Sequence, residues 1–128
     1  MPTYPEEKWR ALGLEMLKAS GTSEEEAEII VDVLVTGSLR GIDSHGVRAL
    51  PTFTQRKAKA EMRMVKETPA TAILDADHAY GPVSAKKAMD IAVAKARSQG
   101  IAACSVVNGE WIVNLFYYPM IAVAQDMI

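Results

Sequence analysis

Arg40-Gly41-Ile42-Asp43-Ser44-His45-Gly46 is the stretch on which the rest of the sequence turns. Two glycines bracket a carboxylate, a hydroxyl and an imidazole, with a guanidinium just ahead of them. Gly41 follows a helical pattern and suits the position past a helix end, where a left-handed residue closes the last turn. Gly46 permits a second turn or a close backbone approach. Two readings are open on residue chemistry alone. One is a plain helix–helix turn, with Asp43 or Ser44 capping the next helix and His45 merely exposed. The other is a site, because imidazole is the side chain most easily tuned to trade protons near neutral pH.

Working outward toward the N-terminus, Ser23-Glu24-Glu25-Glu26 has the form of a capping box. The helix it opens buries Ala27, Ile30, Val31, Leu34 and Val35 at three- and four-residue spacing and runs to about Arg40. The three glutamates do not make a metal cluster, since consecutive helical residues diverge around the axis. An earlier helix starts at Pro5, with Glu6 and Glu7 at its positive end and an apolar stripe of Trp9, Leu12, Met16 and Leu17. Gly13 weakens that helix by about 1 kcal/mol relative to alanine, and Gly21 ends it. Beyond the opening stretch, residues 47–59 read as a third helix with Leu50 and Phe53 inward. Pro51 belongs in a first turn, which moves the start to near Leu50. Arg56, Lys57, Lys59, Arg63 and Lys66 form a basic run, read as a solvated face.

Residues 61–69 read as a linker. Ala70 to Asp75 then reads as a strand, residues 76–81 as a loop with His78 exposed, and Pro82 to Gln99 as a helix burying Ala85, Ala88, Met89, Ala92, Val93 and Ala96. Lys86, Lys87, Asp90, Lys95 and Arg97 are expected to face water. Gly100 ends this helix, and Ile101 to Val107 is an apolar run suited to an interior strand with Cys104 buried and inert. Trp111 to Tyr118 has strand propensity around Asn114, and Pro119 is expected to open a short helix. The expected class is mixed α/β (α+β): a helical segment of three helices over residues 1–62, then an incomplete α/β segment with a strand-helix-strand unit over 68–128. The apolar C-terminal stretch points to missing partner structure.

Composition narrows the function. The 128 residues carry a formal charge of −2, which argues against nucleic-acid or membrane-surface partners. Three short helices could mimic a DNA-reading helix-turn-helix, but the third offers little besides Gln55 and Arg56 to base edges. Cys104 is the only cysteine, which excludes an intrachain disulfide and favours a reducing compartment. The N-terminus has no secretory pattern and no run reaches bilayer length, so the expected location is cytoplasmic.

Arg40 to Gly46 after a capped helix, Ile73-Leu74-Asp75-Ala76-Asp77, Gly81, the helix Ala85 to Gln99 and Gly100-Ile101-Ala102 together resemble the malate/L-lactate dehydrogenase family. Its relatives include ureidoglycolate, sulfolactate and diketogulonate oxidoreductases. The resemblance implies a larger, non-Rossmann fold, NAD or NADP as cofactor, a small 2-hydroxy or 2-keto acid as substrate, and a homodimer in intact relatives. The absence of a Gly-x-Gly-x-x-Gly run agrees with a non-Rossmann fold. Family members are more than twice as long, so the chain resembles their N-terminal portion.

Carried over position by position, the resemblance makes His45, with Ser44 beside it, a residue of the substrate wall. It places a carboxylate-binding arginine four residues after that histidine. Ala49 holds that place here, and Arg48 stands one residue earlier. The family's acid/base histidine, in an Asn-His-x-Gly-like loop, falls on Trp111, and the loop glycine falls on Val113. Indole has no basic nitrogen and cannot exchange the substrate proton. The expected function is therefore the N-terminal portion of a hydroxy-acid dehydrogenase, inactive as this chain alone. The alternative is a non-catalytic interaction or oligomerisation module derived from that family.

Overall fold

A computed structural model of the chain describes residues 4–55 and 59–128. It divides into two compact units, residues 1–58 and 59–128. The elements are mixed α and β, as the residue pattern predicts.

In the first unit, α1 spans Glu6–Ala19 and α2 spans Glu24–Leu39. Between them the chain reverses through Gly21 at φ +93°, where Gly21 N–H donates to Lys18 O and Thr22 N–H to Leu17 O. This pair of bonds satisfies helix-end carbonyls that would otherwise be orphaned. The capping box forms as expected: Glu26 N–H donates to Ser23 Oγ, and Ser23 N–H donates to Glu26 Oε2, both at 3.3 Å. All five expected core residues of α2 are buried, with Val33 beside them.

The expected stripe of α1 needs correction. Leu17 is buried, but Trp9 and Met16 are only half-buried and Leu12 is 44% exposed. The reason is Gly13. A Cβ there would lie 2.8 Å from Val31 Cγ2, so α1 approaches α2 along the glycine side. Trp9 and Leu12 are left on an open patch, where Tyr4 meets Trp9 edge-to-face at 5.9 Å. The third helix is also shorter and more broken than expected. Two 3-10 turns, Asp43–His45 and Val47–Ala49, precede α3, which runs Leu50–Thr54. Arg56 and Lys57 of the basic run lie outside the described residues, and Lys59, the expected end of that helix, is in no helix or strand.

The second unit is a three-stranded sheet in the order β1-β2-β3, crossed by one long helix. The stretch expected to be a linker holds a strand: β1, Arg63–Glu67, pairs antiparallel with β2, Thr71–Asp75. β2 then runs through α4, Gly81–Gln99, into β3, Ala103–Val107, which lies parallel to β2. α4 packs on β2 and β3. Ala88 and Val93 are buried on it, whereas Ala85, Met89, Ala92 and Ala96 are half-buried and line an open groove. Lys95 does not simply face water. Its Nζ donates to Thr68 O at 2.7 Å and pairs with Glu67 at 3.0 Å, tying the β1–β2 turn to α4.

Two further expectations fail here. Among the described residues β3 is an edge strand, not an interior one, and Cys104 on it is half-buried. Residues 111–116 are irregular, and α5 runs Tyr117–Val123, so Pro119 is the third helical residue and not the first. Proline is tolerated there because the first turn's N–H groups have no intrahelical partner.

Gly13→Ala tests the α1–α2 approach. Overpacking costs about 1–3 kcal/mol, and alanine returns about 1 kcal/mol of helix propensity. We expect a net loss of about 1 kcal/mol, read from the urea midpoint of Trp9 fluorescence in a Trp111→Phe background. A stabilised variant would show that the contact yields freely.

Candidate functional site

In the first unit the site candidates lie on the two 3-10 turns after α2. Gly41 adopts φ +76°, with Gly41 N–H donating to Ser38 O and Ile42 N–H to Gly37 O. The chain then turns back against α2 at Gly46. A Cβ at Gly46 would lie 2.1 Å from Ser38 Oγ, the atom that accepts the Val47 N–H at 3.0 Å. Ser38 thus fixes the start of the second turn, a role that neither Asp43 nor Ser44 takes. Ser44 Oγ and His45 Nδ1 share a hydrogen bond of 2.8 Å. His45 is half-buried, while Ser44 and Arg48 are exposed. Ala49 is buried, so Arg48 points away from the direction of the side chain at 49. A hydroxyl and an imidazole on the first turn, and a guanidinium fork on the second, are groups of the kind that hold a small carboxylate and its neighbouring oxygen.

In the second unit the loops that follow β2 and β3 leave the carboxyl ends of two parallel strands, the edge where open α/β sheets place ligands. Asp75, buried at the end of β2, joins them. Its Oδ1 accepts from the Asp77 N–H and from Asn108 Nδ2, each at 3.0 Å, and its Oδ2 accepts from Arg63 at 3.0 Å. Asn108, and then the Asp77 N–H and Arg63, hold the Asp75 carboxyl down at about 2. Three residues around this carboxylate are left-handed: Asp77, His78 and Asn108, at φ +47°, +57° and +51°. A second tie runs from His78 Nδ1 to Glu110 Oε1 at 2.9 Å. Sequence reasoning missed Asp75 and Asn108. The signal available was an aspartate ending one apolar strand and an asparagine ending the next.

Trp111 follows in this loop and is 46% exposed. A Cβ at Gly81 would lie 2.0 Å from Trp111 O and 2.7 Å from Glu110 O. The glycine therefore lets two loop carbonyls lie against the first turn of α4. Val113 has φ +68° and is buried. Tyr118 donates from its hydroxyl to Ile112 O, and burial pushes that phenol's pKa up.

The family model for malate/L-lactate dehydrogenase matches residues 4–128. The chain belongs to the malate/L-lactate dehydrogenase family. It is 36% identical over 128 residues to the L-sulfolactate dehydrogenase of Methanocaldococcus jannaschii, covering 95% of this chain and 37% of that protein. To the malate dehydrogenase of Pyrococcus abyssi it is 33% identical, covering 97% and 36%. Among solved structures, the sulfolactate dehydrogenase from Methanocaldococcus jannaschii superposes with a TM-score of 0.88 at 35% identity, over 94% of this chain and 37% of that one. The malate dehydrogenase from Pyrococcus horikoshii gives 0.93 at 28% identity, over 97% and 37%. The chain thus spans just over a third of the length of these members of the dehydrogenase family. No described helix is long and apolar enough to cross a membrane, and no described group of three or more His, Cys, Asp or Glu is placed to hold a metal ion.

Two measurements test this loop architecture. The Asp75 carboxyl is more acidic folded, at about 2, than its ordinary 3.8. It therefore contributes stability that is fully present above about pH 4 and drains as pH falls toward 2. The urea midpoint of the second unit, followed by Trp111 fluorescence in a Trp9→Phe background, should hold down to about pH 4 and then fall. Asp75→Asn should flatten that acid limb, and an unchanged limb would exclude Asp75 as its source. Gly81→Ala should destabilise the second unit by about 1–3 kcal/mol and shift Trp111 emission, because a carbonyl oxygen cannot rotate away as a side chain can.

Proposed function

We propose that this chain is a segment of an NAD(P)-linked oxidoreductase that passes a hydride between nicotinamide and a small 2-hydroxy or 2-keto acid, and that the 128-residue chain alone does not turn over. Family membership supports the reaction class, and malate and sulfolactate, named for its relatives, are both 2-hydroxy acids. In this reading residues 1–62 supply substrate contacts. Arg48 takes the carboxylate, and His45, oriented by Ser44, takes the oxygen on the neighbouring carbon. Residues 68–128 supply the loop where the proton would be exchanged. NAD or NADP would be held by parts of the fold beyond the third that this chain spans. The cytoplasm and a homodimeric intact enzyme complete the reading.

The observation that carries the silence is Trp111. The indole N–H only donates, and no basic nitrogen stands at that position to take or return the hydroxyl proton. General acid–base catalysis contributes about 10²–10⁴-fold, so its loss alone removes most of the rate. A second reading, a non-catalytic interaction module of the same descent, is favoured by the apolar side chains of Leu115, Met120 and Val123 exposed on the C-terminal stretch.

The test is a steady-state assay with pyruvate and oxaloacetate against NADH and NADPH. We expect no cofactor oxidation above background. Turnover abolished by His45→Ala would overturn the silence but keep the substrate wall. Turnover untouched by His45→Ala would overturn the site assignment.

A further inference from the structure

The chain has two asparagines, and their neighbours differ. Asn114 precedes Leu115, whereas Asn108 precedes Gly109. Glycine puts no side chain in the way of its own nitrogen and lets the backbone turn freely, so an asparagine before it is well placed to cyclise. In that reaction Gly109 N attacks Asn108 Cγ. A C–N bond closes a cyclic imide, the Cγ–Nδ2 bond breaks, and the Gly109 N–H proton leaves with Nδ2 as ammonia. Water then opens the ring at either carbonyl, giving an aspartate or an isoaspartate. No oxidant or reductant takes part.

The fold holds both reacting groups. Asn108 follows β3 at φ +51°. Its Nδ2, the nitrogen that would depart, donates to Asp75 Oδ1 at 3.0 Å. Its carbonyl oxygen accepts from the His78 N–H at 3.0 Å. That carbonyl and Gly109 N belong to one planar peptide group, so the second bond fixes the nucleophile as the first fixes the electrophile. Ring closure swings the side chain toward Gly109 and must break a bond to a charged acceptor, which is stronger than a bond between neutral groups. Packing also favours glycine after the asparagine, since a Cβ at Gly109 would lie 3.2 Å from Val106 Cγ1.

We propose that Asn108-Gly109 is a self-modification site, held shut in the folded chain by the Asp75 carboxylate and the His78 N–H and released when this loop opens. The change runs one way. It replaces the amide that donates to Asp75 with a second carboxylate, and two carboxylates sharing a site repel. The isoaspartate product also reroutes the main chain through the former side chain. Either product prevents the tie from forming again, so a chain that has opened keeps a lasting mark of it. Neither substrate nor cofactor enters the reaction, which is therefore separate from the dehydrogenase reading.

The experiment incubates the intact chain in mildly alkaline buffer, folded or in guanidinium chloride, and follows the conversion of amide to acid at Asn108 by peptide mapping and mass spectrometry. We expect the folded chain to react at least about tenfold more slowly, the worth of a hydrogen bond to a charged group. Asp75→Asn offers only a neutral acceptor and should speed the folded reaction severalfold, with circular dichroism confirming the fold. Asn108→Asp copies the main-chain product. Its carboxyl lies beside Asp75, and the like charge raises its pKa on folding. Its loss of urea midpoint against the parent should therefore be largest at neutral pH and shrink as pH falls through the carboxylate range. Equal rates folded and in guanidinium chloride, a folded Asp75→Asn chain that reacts no faster, or an Asn108→Asp chain as stable as the parent at neutral pH would each overturn the proposal.

Discussion

The second unit depends on one buried carboxylate. Asp75 ends β2, and its two oxygens receive the Asp77 N–H, the Asn108 amide and the Arg63 guanidinium. These three donors come from the turn after β2, the turn after β3 and the antiparallel neighbour β1. A carboxylate taken from water is costly unless it is well hydrogen-bonded, and here the donors recover that cost. The same bonds hold Asp77 and Asn108 in left-handed conformations that neither would adopt without local support. Asparagine and aspartate are the non-glycine residues that best tolerate this region. The sequence at these turns therefore agrees with the geometry that the carboxylate imposes.

The first unit is organised by helix ends and not by a buried charge. Both α1 and α2 end on a left-handed glycine, and both endings carry the paired bonds of the same closing motif. The second ending delivers the chain to Gly46, where contact with Ser38 sets the direction of the turns bearing His45 and Arg48. Ser38 is thus a framing residue for the substrate-wall candidates, although it belongs to the preceding helix. A polar residue in the last turn of a helix, nine residues before the N–H it receives, leaves no local pattern to find.

What was legible in the sequence was whatever depends on local rules. The capping box, the core of α2, the helix-closing glycines and the strand-helix-strand order follow from spacing and from single-residue backbone preference. What was not legible depends on neighbours. Gly13 reads as a weakness in α1 until Val31 is known to lie against its missing Cβ. β1 reads as a linker because all five of its residues are exposed, so it shows no buried alternation. Residues 111–118 read as a strand from their β-branched and aromatic side chains. Propensity there is overruled by the Ile112 carbonyl, which accepts from Asn114 N–H and from Tyr118, folding the backbone back on itself. Of the site, the residue types around His45 were legible, while the Asp75–Asn108 tie, between residues 33 apart, was not.

Val113 is the strained point of the loop after β3. A β-branched residue at φ +68° carries strain of about 1–3 kcal/mol. Burying a valine side chain returns about 1.5–3 kcal/mol, and Val113 is only 6% exposed. The two effects are of the same size, so valine can stand where glycine would be free of strain without opening the loop. Gly81 supports that outcome by admitting the 110–111 carbonyls so closely that the loop has little room to relax. The loop is therefore closed around a strained but buried valine, with an exposed indole two residues before it. The loop is held by packing and by hydrogen bonds: from Asn108 to Asp75 at the end of β2, between His78 and Glu110, and from Tyr118 of α5 to the Ile112 carbonyl.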